Sequence, residues 1–302
     1  MPRFIVVLSL LATAIMSVST HAQEGSAEKK RVIVCSTTQV ADFARQIVGD
    51  RWEVKCVLGA GDDPHLYSVK TSDAALVATA DLCAQNGWHL EGKDWMMTLA
   101  KDANKPIVRC TEGVEPLKLE EDGEVIDDPH AWFRVQNAVI YVRNLTSAIA
   151  QVDPDHKAEY FGRAELYINQ LQALHAWIAK QFNVIPSESR VLVTSHDAFN
   201  YFCSSYGFKP AAPVGWSTEE LGGGLTAEKR RIVVDSIRKF GVKAIFVETS
   251  VNPKLIQQIA KDADIEVGGT LYSDAMGEEG TAGESYIGMM RENVLTIVQA
   301  LK

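Results

Sequence analysis

Short apolar segments alternate with amphipathic helical segments along most of the chain. A buried-strand pattern over residues 32–37 is followed by a helical pattern over residues 40–48, in which apolar side chains recur every three or four positions. The same alternation returns from residue 190 to the end of the chain. Strands and helices that alternate at this spacing indicate parallel sheets flanked by helices. The sequence therefore predicts an α/β fold with one parallel-type sheet in each half.

One predicted helix is much longer than the others. It begins after Asp153-Pro154 and covers residues 155–182, about 40 Å at 1.5 Å per residue. A helix of this length exceeds the diameter of one small lobe, so we expect it to be a rigid bridge between two lobes. The predicted organisation is an N-terminal lobe over residues 23–152, a linking helix over residues 153–186 and a C-terminal lobe over residues 187–302.

The first 22 residues have the pattern of a signal peptide. Arg3 precedes an apolar run that is too short to span a bilayer, and Thr20-His21-Ala22 is typical of a cleavage site. The sequence predicts cleavage near Ala22 and export to the periplasm. Because no cysteine lies near that site, we expect no lipid anchor.

Composition and cysteine spacing exclude several classes of function. The formal net charge of −9 argues against nucleic acid or an anionic membrane as a partner and favours a cationic ligand. None of the cysteines forms a CxxC pair, which excludes cysteine zinc knuckles and thioredoxin-type redox sites. We expect the cysteines to be small core residues that bind no metal. They are Cys35, Cys56, Cys83, Cys110 and Cys203.

A segment of four identical residues occurs twice. Asp62-Asp63-Pro64-His65 and Asp127-Asp128-Pro129-His130 are each followed, two residues after the histidine, by a large aromatic residue. Asp-Asp-Pro disfavours helix and predicts a loop. Each loop therefore presents one imidazole, and neutral imidazole is a common ligand of transition metals.

Two further polar residues follow predicted strands of the second half. His196 and Asp274 lie just beyond strand ends, and ligands of open α/β sheets bind at the carboxyl ends of the strands. Together with His65 and His130 they give three imidazoles and one carboxylate, drawn from four distant loops and from both lobes. Such a set suits Zn²⁺, and it also suits Mn²⁺ if the carboxylate is bidentate. The sequence predicts a metal site in the cleft between the lobes.

The chain resembles the zinc- and manganese-binding substrate-binding proteins of ABC transporters, a group that includes surface lipoproteins described as adhesins. The matching motifs occur in order over the whole mature chain: Asp63-Pro64-His65-x-Tyr67, Asn86-Gly87-x-His89-Leu90-Glu91, Asp128-Pro129-His130-x-Trp132, Ser195-His196-Asp197-Ala198-Phe199-x-Tyr201-Phe202 and Tyr272-Ser273-Asp274-Ala275-Met276-Gly277.

The resemblance implies that His65, His130, His196 and Asp274 are the metal ligands and that His89 is not. It also implies that the protein is a monomer, that it carries one Zn²⁺ or Mn²⁺ ion as transported ligand, and that its partner is the membrane permease of a metal ABC transporter. The histidine-rich loop of many zinc-specific members is absent here, since residues 115–128 contain no histidine.

Two other functions fit parts of the pattern. A zinc hydrolase keeps three protein ligands and an open position for water, whereas a fourth ligand is available here and no HExxH motif or nucleophile elbow occurs. A metal-dependent adhesin would need surface attachment, for which the sequence has no signal. We therefore expect no enzymatic activity. The sequence favours zinc over manganese through His196. Glu248, at the end of an apolar strand, either supports a metal ligand from behind or caps Ser250, and we favour the structural role.

Overall fold

The computed structural model describes residues 1, 29–121, 124–212, 227–239 and 241–302. The predicted signal peptide therefore lies outside the described residues, apart from Met1. In the described part the strands are β1 (Arg31–Cys35), β2 (Trp52–Cys56), β3 (Leu82–Gln85), β4 (Ile107–Arg109), β5 (Lys118–Glu121), β6 (Glu124–Asp127), β7 (Val191–Val193), β8 (Lys209–Ala211), β9 (Ala244–Glu248) and β10 (Glu266–Leu271). The α-helices are α1 (Thr38–Val48), α2 (Thr71–Ala78), α3 (Trp95–Asp102), α4 (Val135–Val152), α5 (Lys157–Gln181), α6 (Asn200–Tyr206), α7 (Ala227–Lys239), α8 (Lys254–Ala263) and α9 (Tyr286–Leu301).

The N-terminal lobe contains a four-stranded parallel sheet with the order β2-β1-β3-β4. Its central strand β1 is apolar and buried on both faces, as expected for a parallel sheet that helices cover on both sides. Helix α1 packs on this sheet through Val40, Phe43, Ala44 and Ile47 and ends at Gly49, whose φ of 54° is the left-handed conformation that glycine favours.

The C-terminal lobe contains two parallel strand pairs. Strand β9 pairs with β10, and β7 pairs with β8, while β7 also lies beside β9. All five residues of β9 are buried, and α8 packs against this strand through Ile256 and Ile259. The prediction of a parallel-type sheet with flanking helices in each half is confirmed.

The predicted long helix connects the two sheets. Helix α5 covers 25 residues, about 37 Å at 1.5 Å per residue, and single 3-10 turns extend it from Pro154 to Val184. It packs against α1 and α4 of the N-terminal part and against α9 of the C-terminal part. Buried side chains along its length, including Tyr160, Leu171 and Ile178, fix it to both parts of the chain.

The structure adds three elements that the sequence analysis did not predict. They are the short helix α3, the antiparallel hairpin of β5 and β6, and the short strand β8. The hairpin occupies the place of the histidine-rich loop. All five cysteines are reduced, and all are buried except Cys56, which is half-buried. No helix among the described residues is long and apolar enough to cross a membrane.

Candidate metal centre

Each Asp-Asp-Pro-His segment presents its imidazole from a turn that an aspartate closes. Oδ1 of Asp63 accepts the backbone N–H of His65 at 2.8 Å, and Oδ1 of Asp128 accepts that of His130 at 3.0 Å. An aspartate that bonds to the backbone two residues later is a common turn, and the proline between them restricts the chain further. The repeated motif therefore delivers two imidazoles with the same backbone hydrogen bond, and both are buried.

Asp128 also fixes the ring of His130 and the position of the second loop. Its Oδ1 lies 2.9 Å from Nδ1 of His130, which leaves Nε2 as the ring nitrogen that faces the centre of the cluster. Its Oδ2 accepts a hydrogen bond from Nδ2 of Asn200 at 3.2 Å, and its carbonyl oxygen accepts one from the hydroxyl of Tyr201 at 3.0 Å. Because Asn200 and Tyr201 belong to α6, these bonds connect the second loop to the C-terminal lobe.

His196 follows β7, and Glu248 at the end of β9 holds it. Oε1 of Glu248 accepts the backbone N–H groups of Ser195 at 2.7 Å and of His196 at 3.1 Å, while Oε2 lies 2.8 Å from Nδ1 of the His196 ring. Of the two roles that the sequence leaves open for Glu248, these contacts support the one behind a ligand, not the favoured structural one. Its carboxylate orients both the backbone and the ring of His196.

Asp274 lies in the loop after β10 and faces all three imidazoles. Its Oδ1 is 3.4 Å from Nε2 of His130 and 4.0 Å from Nε2 of His65, and its Oδ2 is 3.3 Å from Nε2 of His196. The side chain is 1% exposed. One oxygen thus faces the N-terminal lobe and the other faces the C-terminal lobe.

The four predicted residues lie together in one buried cluster. One ligand atom from each lies within 4.8 Å of the other three, and the Nε2 atoms of His65 and His130 are 3.2 Å apart. A tetrahedral ion with ligand bonds of about 2.0–2.1 Å separates its ligand atoms by about 3.3 Å. The spacings of 3.2, 3.3 and 3.4 Å in the cluster therefore suit a small divalent cation.

The surroundings of the three imidazoles shift their pKa values in different directions. Burial lowers the pKa of His65 to about 3, against the attraction of the Asp274 charge. Burial also lowers the pKa of His130, but the contacts with Asp128 and Asp274 outweigh it and the net shift is upward. For His196, the charges of Glu248 and Asp274 outweigh burial even more, and the pKa lies well above its usual value.

The carboxyl group of Asp274 responds to the same neighbours. Burial raises its pKa, but the three histidines, His196 foremost, hold the net value well below the usual range. In the metal-free protein, these shifts favour a proton on His196 that balances the charge of Asp274. A divalent cation at the centre would replace that proton, because a histidine must be neutral at its ligating nitrogen.

The other histidine that the sequence motifs include lies elsewhere. His89 is exposed and has a φ of 61°, and it is not among the residues of the cluster. The aromatic residue of the second motif, Trp132, packs edge-on to His130 with ring centroids 5.5 Å apart. It is 1% exposed and closes the cluster on that side.

Comparison with known families decides the class of the protein. The profile of the family described as zinc-uptake complex component A, periplasmic (ZnuA), matches residues 33–300. The chain belongs to this family. The resemblance found in the sequence is thereby confirmed, and substrate-binding proteins of metal ABC transporters are among its relatives.

Individual relatives span almost the whole chain. The manganese-binding lipoprotein MntA of Bacillus subtilis is 36% identical over 300 residues, which cover 97% of each protein. The solved periplasmic zinc-binding protein TroA of Treponema pallidum superposes with a TM-score of 0.84 at 32% identity, over 90% of this chain and 99% of that one. The manganese-bound periplasmic metal-binding protein of Candidatus Liberibacter asiaticus has a TM-score of 0.80 at 27% identity, over 90% and 100%. The two-lobed α/β fold is confirmed.

Proposed function

We propose that this protein captures one divalent metal ion in the periplasm and delivers it to the permease of an ABC transporter. The ligands in this proposal are Nε2 of His65, His130 and His196 and the carboxylate of Asp274. The observation that carries it is the cluster itself, in which four donors from four separate loops lie within 4.8 Å of one another, and the distances of 3.2, 3.3 and 3.4 Å are close to those around a tetrahedral ion. Buried groups with no function in binding would have little reason to converge in this way.

The carboxylates behind the ligands support a cationic cargo. Asp128 contacts the outer nitrogen of His130, and Glu248 contacts the outer nitrogen of His196. Carboxylates in this position orient a ligating imidazole and raise its basicity, and they are common around metal sites. Together with Asp274 they place three acidic side chains around the cluster. Among the described residues, the salt bridges of these three side chains are with histidines and not with Lys or Arg. A divalent cation offsets this charge.

Zinc is the cargo that the donor set favours. Three imidazoles are softer ligands than carboxylates, and they suit Zn²⁺ better than Mn²⁺. Manganese is the alternative, because both oxygens of Asp274 face the cluster and can bind in a bidentate manner. The names of the relatives include both metals.

The geometry favours a carrier over an enzyme. All four donor residues are at most 5% exposed, so a peptide or ester has no access to the centre. Four protein donors also fill a tetrahedral shell, whereas catalytic zinc keeps one position for water. We therefore propose that the protein has no hydrolytic activity and acts as a monomer that exchanges its ion with the permease.

The proposal includes the predicted organisation of the mature chain. The lobes are residues 23–152 and 187–302, with the linking helix over residues 153–186 between them. Several relatives are named lipoproteins, so the predicted lack of a lipid anchor and the cleavage near Ala22 stay predictions from the sequence. Mass spectrometry of the protein recovered from a native periplasmic extract would test both.

Elemental analysis of the purified protein, combined with competitive titration of Zn²⁺ and Mn²⁺, tests the proposed function. We expect one metal equivalent per chain and tighter binding of zinc. Tighter binding of manganese would correct the choice of cargo. Binding of neither ion, with the protein folded, would contradict the proposal.

A further inference from the structure

The loop that carries Asp274 is held from both lobes. This Asp274 loop covers residues 272–277, between β10 and α9. On the side of the C-terminal lobe, the hydroxyl of Ser250 donates to Oδ2 of Asp274 at 3.1 Å and lies 2.9 Å from Oγ of Ser273. On the other side, the first turn of α1 supplies the contacts. The loop is therefore attached to both lobes.

Thr38 and Gln39 make the contacts from α1. Nε2 of Gln39 donates to the carbonyl oxygen of Ser273 at 3.1 Å, and the backbone N–H of Met276 donates to Oγ1 of Thr38 at 2.9 Å. The Thr38 hydroxyl donates in turn to Oε1 of Gln39 at 3.3 Å. Both side chains thus form one network, and they bond to the backbone on either side of Asp274.

The position of Asp274 makes these contacts important for the cluster. Ser250 and His196 belong to the C-terminal lobe, so the bond from Ser250 helps to keep the carboxylate in place relative to His196. The distances from Oδ1 to His130 and His65, 3.4 and 4.0 Å, join the loop to the opposite lobe. Among the described residues, the bonds from Thr38 and Gln39 hold the backbone of the loop to that lobe. A ligand whose supporting contacts are loose by about 1 Å holds its ion poorly.

We propose that Thr38 and Gln39 form an interlobe latch that positions the Asp274 carboxylate and sets the rate at which the metal ion leaves. This inference rests on the proposed function. When the latch is broken, the loop moves away from the N-terminal lobe and the ion keeps only its imidazole ligands. Association begins at the three imidazoles, which the latch does not touch, so it changes less than dissociation.

The latch is also accessible from outside the buried cluster. Thr38 and Met276 line a cavity of about 610 Å³ at the boundary of the lobes, together with Leu58 and Glu278. Gln39 and Ser273, in contrast, are 1% and 0% exposed. The hydrogen bond of Thr38 is therefore the part of the latch that water or a docked protein reaches first.

Two variants test the latch. Gln39→Met keeps the length of the side chain and removes the donor, and Thr38→Val keeps its shape and removes the hydroxyl. We expect each to raise the rate of metal release by about threefold to tenfold, the range for loss of one buried hydrogen bond. Release is measured by stopped-flow transfer of zinc to excess chelator, and association is measured separately and should change by less than about twofold. Thr38→Ser, which keeps the hydroxyl, should restore slow release.

A matched control separates positioning from general destabilisation. Thr146→Val removes a buried hydroxyl whose hydrogen bond, 2.7 Å to the carbonyl of Val142, lies within α4. It should leave the release rate unchanged. If Gln39→Met and Thr38→Val release zinc at the wild-type rate, or if Thr146→Val accelerates release as they do, the latch is refuted while the proposed function stands. If the wild-type protein binds no metal, the proposed function fails and the latch fails with it.

Discussion

Oε2 of Glu248 lies 2.8 Å from Nδ1 of His196, and the other nitrogen of the same ring lies 3.3 Å from Asp274. The imidazole is thus placed between two carboxylates, one behind it and one facing the centre of the cluster. His130 has the same arrangement, with Asp128 behind it and Asp274 in front. In two of the three imidazoles, a carboxylate therefore holds Nδ1, and only Nε2 faces the centre of the cluster.

Replacement of single histidines should distinguish the metal ligands from a histidine outside the site. We expect His65→Ala, His130→Ala and His196→Ala each to weaken zinc binding by more than about 100-fold, since loss of an outer carboxylate alone costs about 10–100-fold. The control is His89→Asn, because His89 is exposed and asparagine tolerates its left-handed backbone. Competition titration measures all four. Loss of binding in His89→Asn with normal binding in His196→Ala would show that the ligand assignment is wrong.

Glu248→Gln should weaken binding without unfolding the protein. Glutamine keeps an oxygen that accepts the N–H groups of Ser195 and His196, but it removes the negative charge beside the ring. We expect a loss of about 10–100-fold in zinc affinity by the same competition titration. Glu53→Gln is the control, because Glu53 is an exposed residue that pairs with Lys55. Equal affinities of the two variants would exclude a role of Glu248 in the site.

Metal binding should release protons and weaken in acid. The pKa of His196 is raised well above its usual value by Glu248 and Asp274, and that of His130 is raised as well, so at neutral pH the metal replaces at least one proton. Calorimetry at pH 7 in buffers of different ionisation enthalpy measures the number of protons released. Affinity should rise with pH until His196 loses its proton. The same affinity at pH 5.5 and pH 8 would contradict this electrostatic picture.

Metal should stabilise the fold more at high pH, whereas the raised pKa values of two histidines stabilise the metal-free fold more at low pH. The raised pKa values of His130 and His196 stabilise the metal-free protein below the unfolded value of about 6.5, and this contribution is lost as pH rises through the folded values. The stabilisation by bound metal has the opposite dependence on pH, because a histidine ligates the ion only when its ring is neutral. A fixed zinc concentration that is about 100 times the Kd at pH 8 adds about 2.7 kcal/mol at that pH. The same concentration adds less at pH 5.5, where the Kd is larger, so the melting temperature should rise more with zinc at pH 8. A larger rise at pH 5.5 would contradict the proposed competition between protons and metal.

The long helix should limit the movement of the lobes. Helix α5 packs along α1, α4 and α9, and bending it would break consecutive backbone hydrogen bonds. We therefore expect small-angle scattering to give nearly the same radius of gyration with and without zinc, with local rearrangement in the Asp274 loop. A large decrease on zinc binding would show that the helix acts as a hinge.

The sequence predicts the four cluster residues because each lies in a short local motif after a strand. The Asp-Pro-His turns carry their own geometry, and the strand ends place His196 and Asp274 at one edge of the C-terminal sheet. The sequence does not decide the role of Glu248, because that role depends on the packing of β7 beside β9. Its position at the end of a wholly apolar strand, on the edge that carries His196, is the signal that was available.

Three further features of the structure were not predicted from the sequence, each for a different reason. The bond from Gln39 to Ser273 joins residues that are 234 positions apart, and no local pattern predicts it. The hairpin of β5 and β6 is rich in charged residues, so it lacks the apolar alternation of a strand. Its Asp122-Gly123 sequence is nevertheless the strongest short signal for a hairpin turn. Helix α3 is only eight residues long, too short for a clear helical period.

Anomalous diffraction at the zinc absorption edge, from crystals of the zinc-loaded protein, tests the central claim most directly. We predict a single strong peak per chain, about 2.0–2.2 Å from Nε2 of His65, His130 and His196 and from a carboxylate oxygen of Asp274. A peak at any other group of residues, or no peak in crystals whose elemental analysis shows bound zinc, would contradict the proposed site.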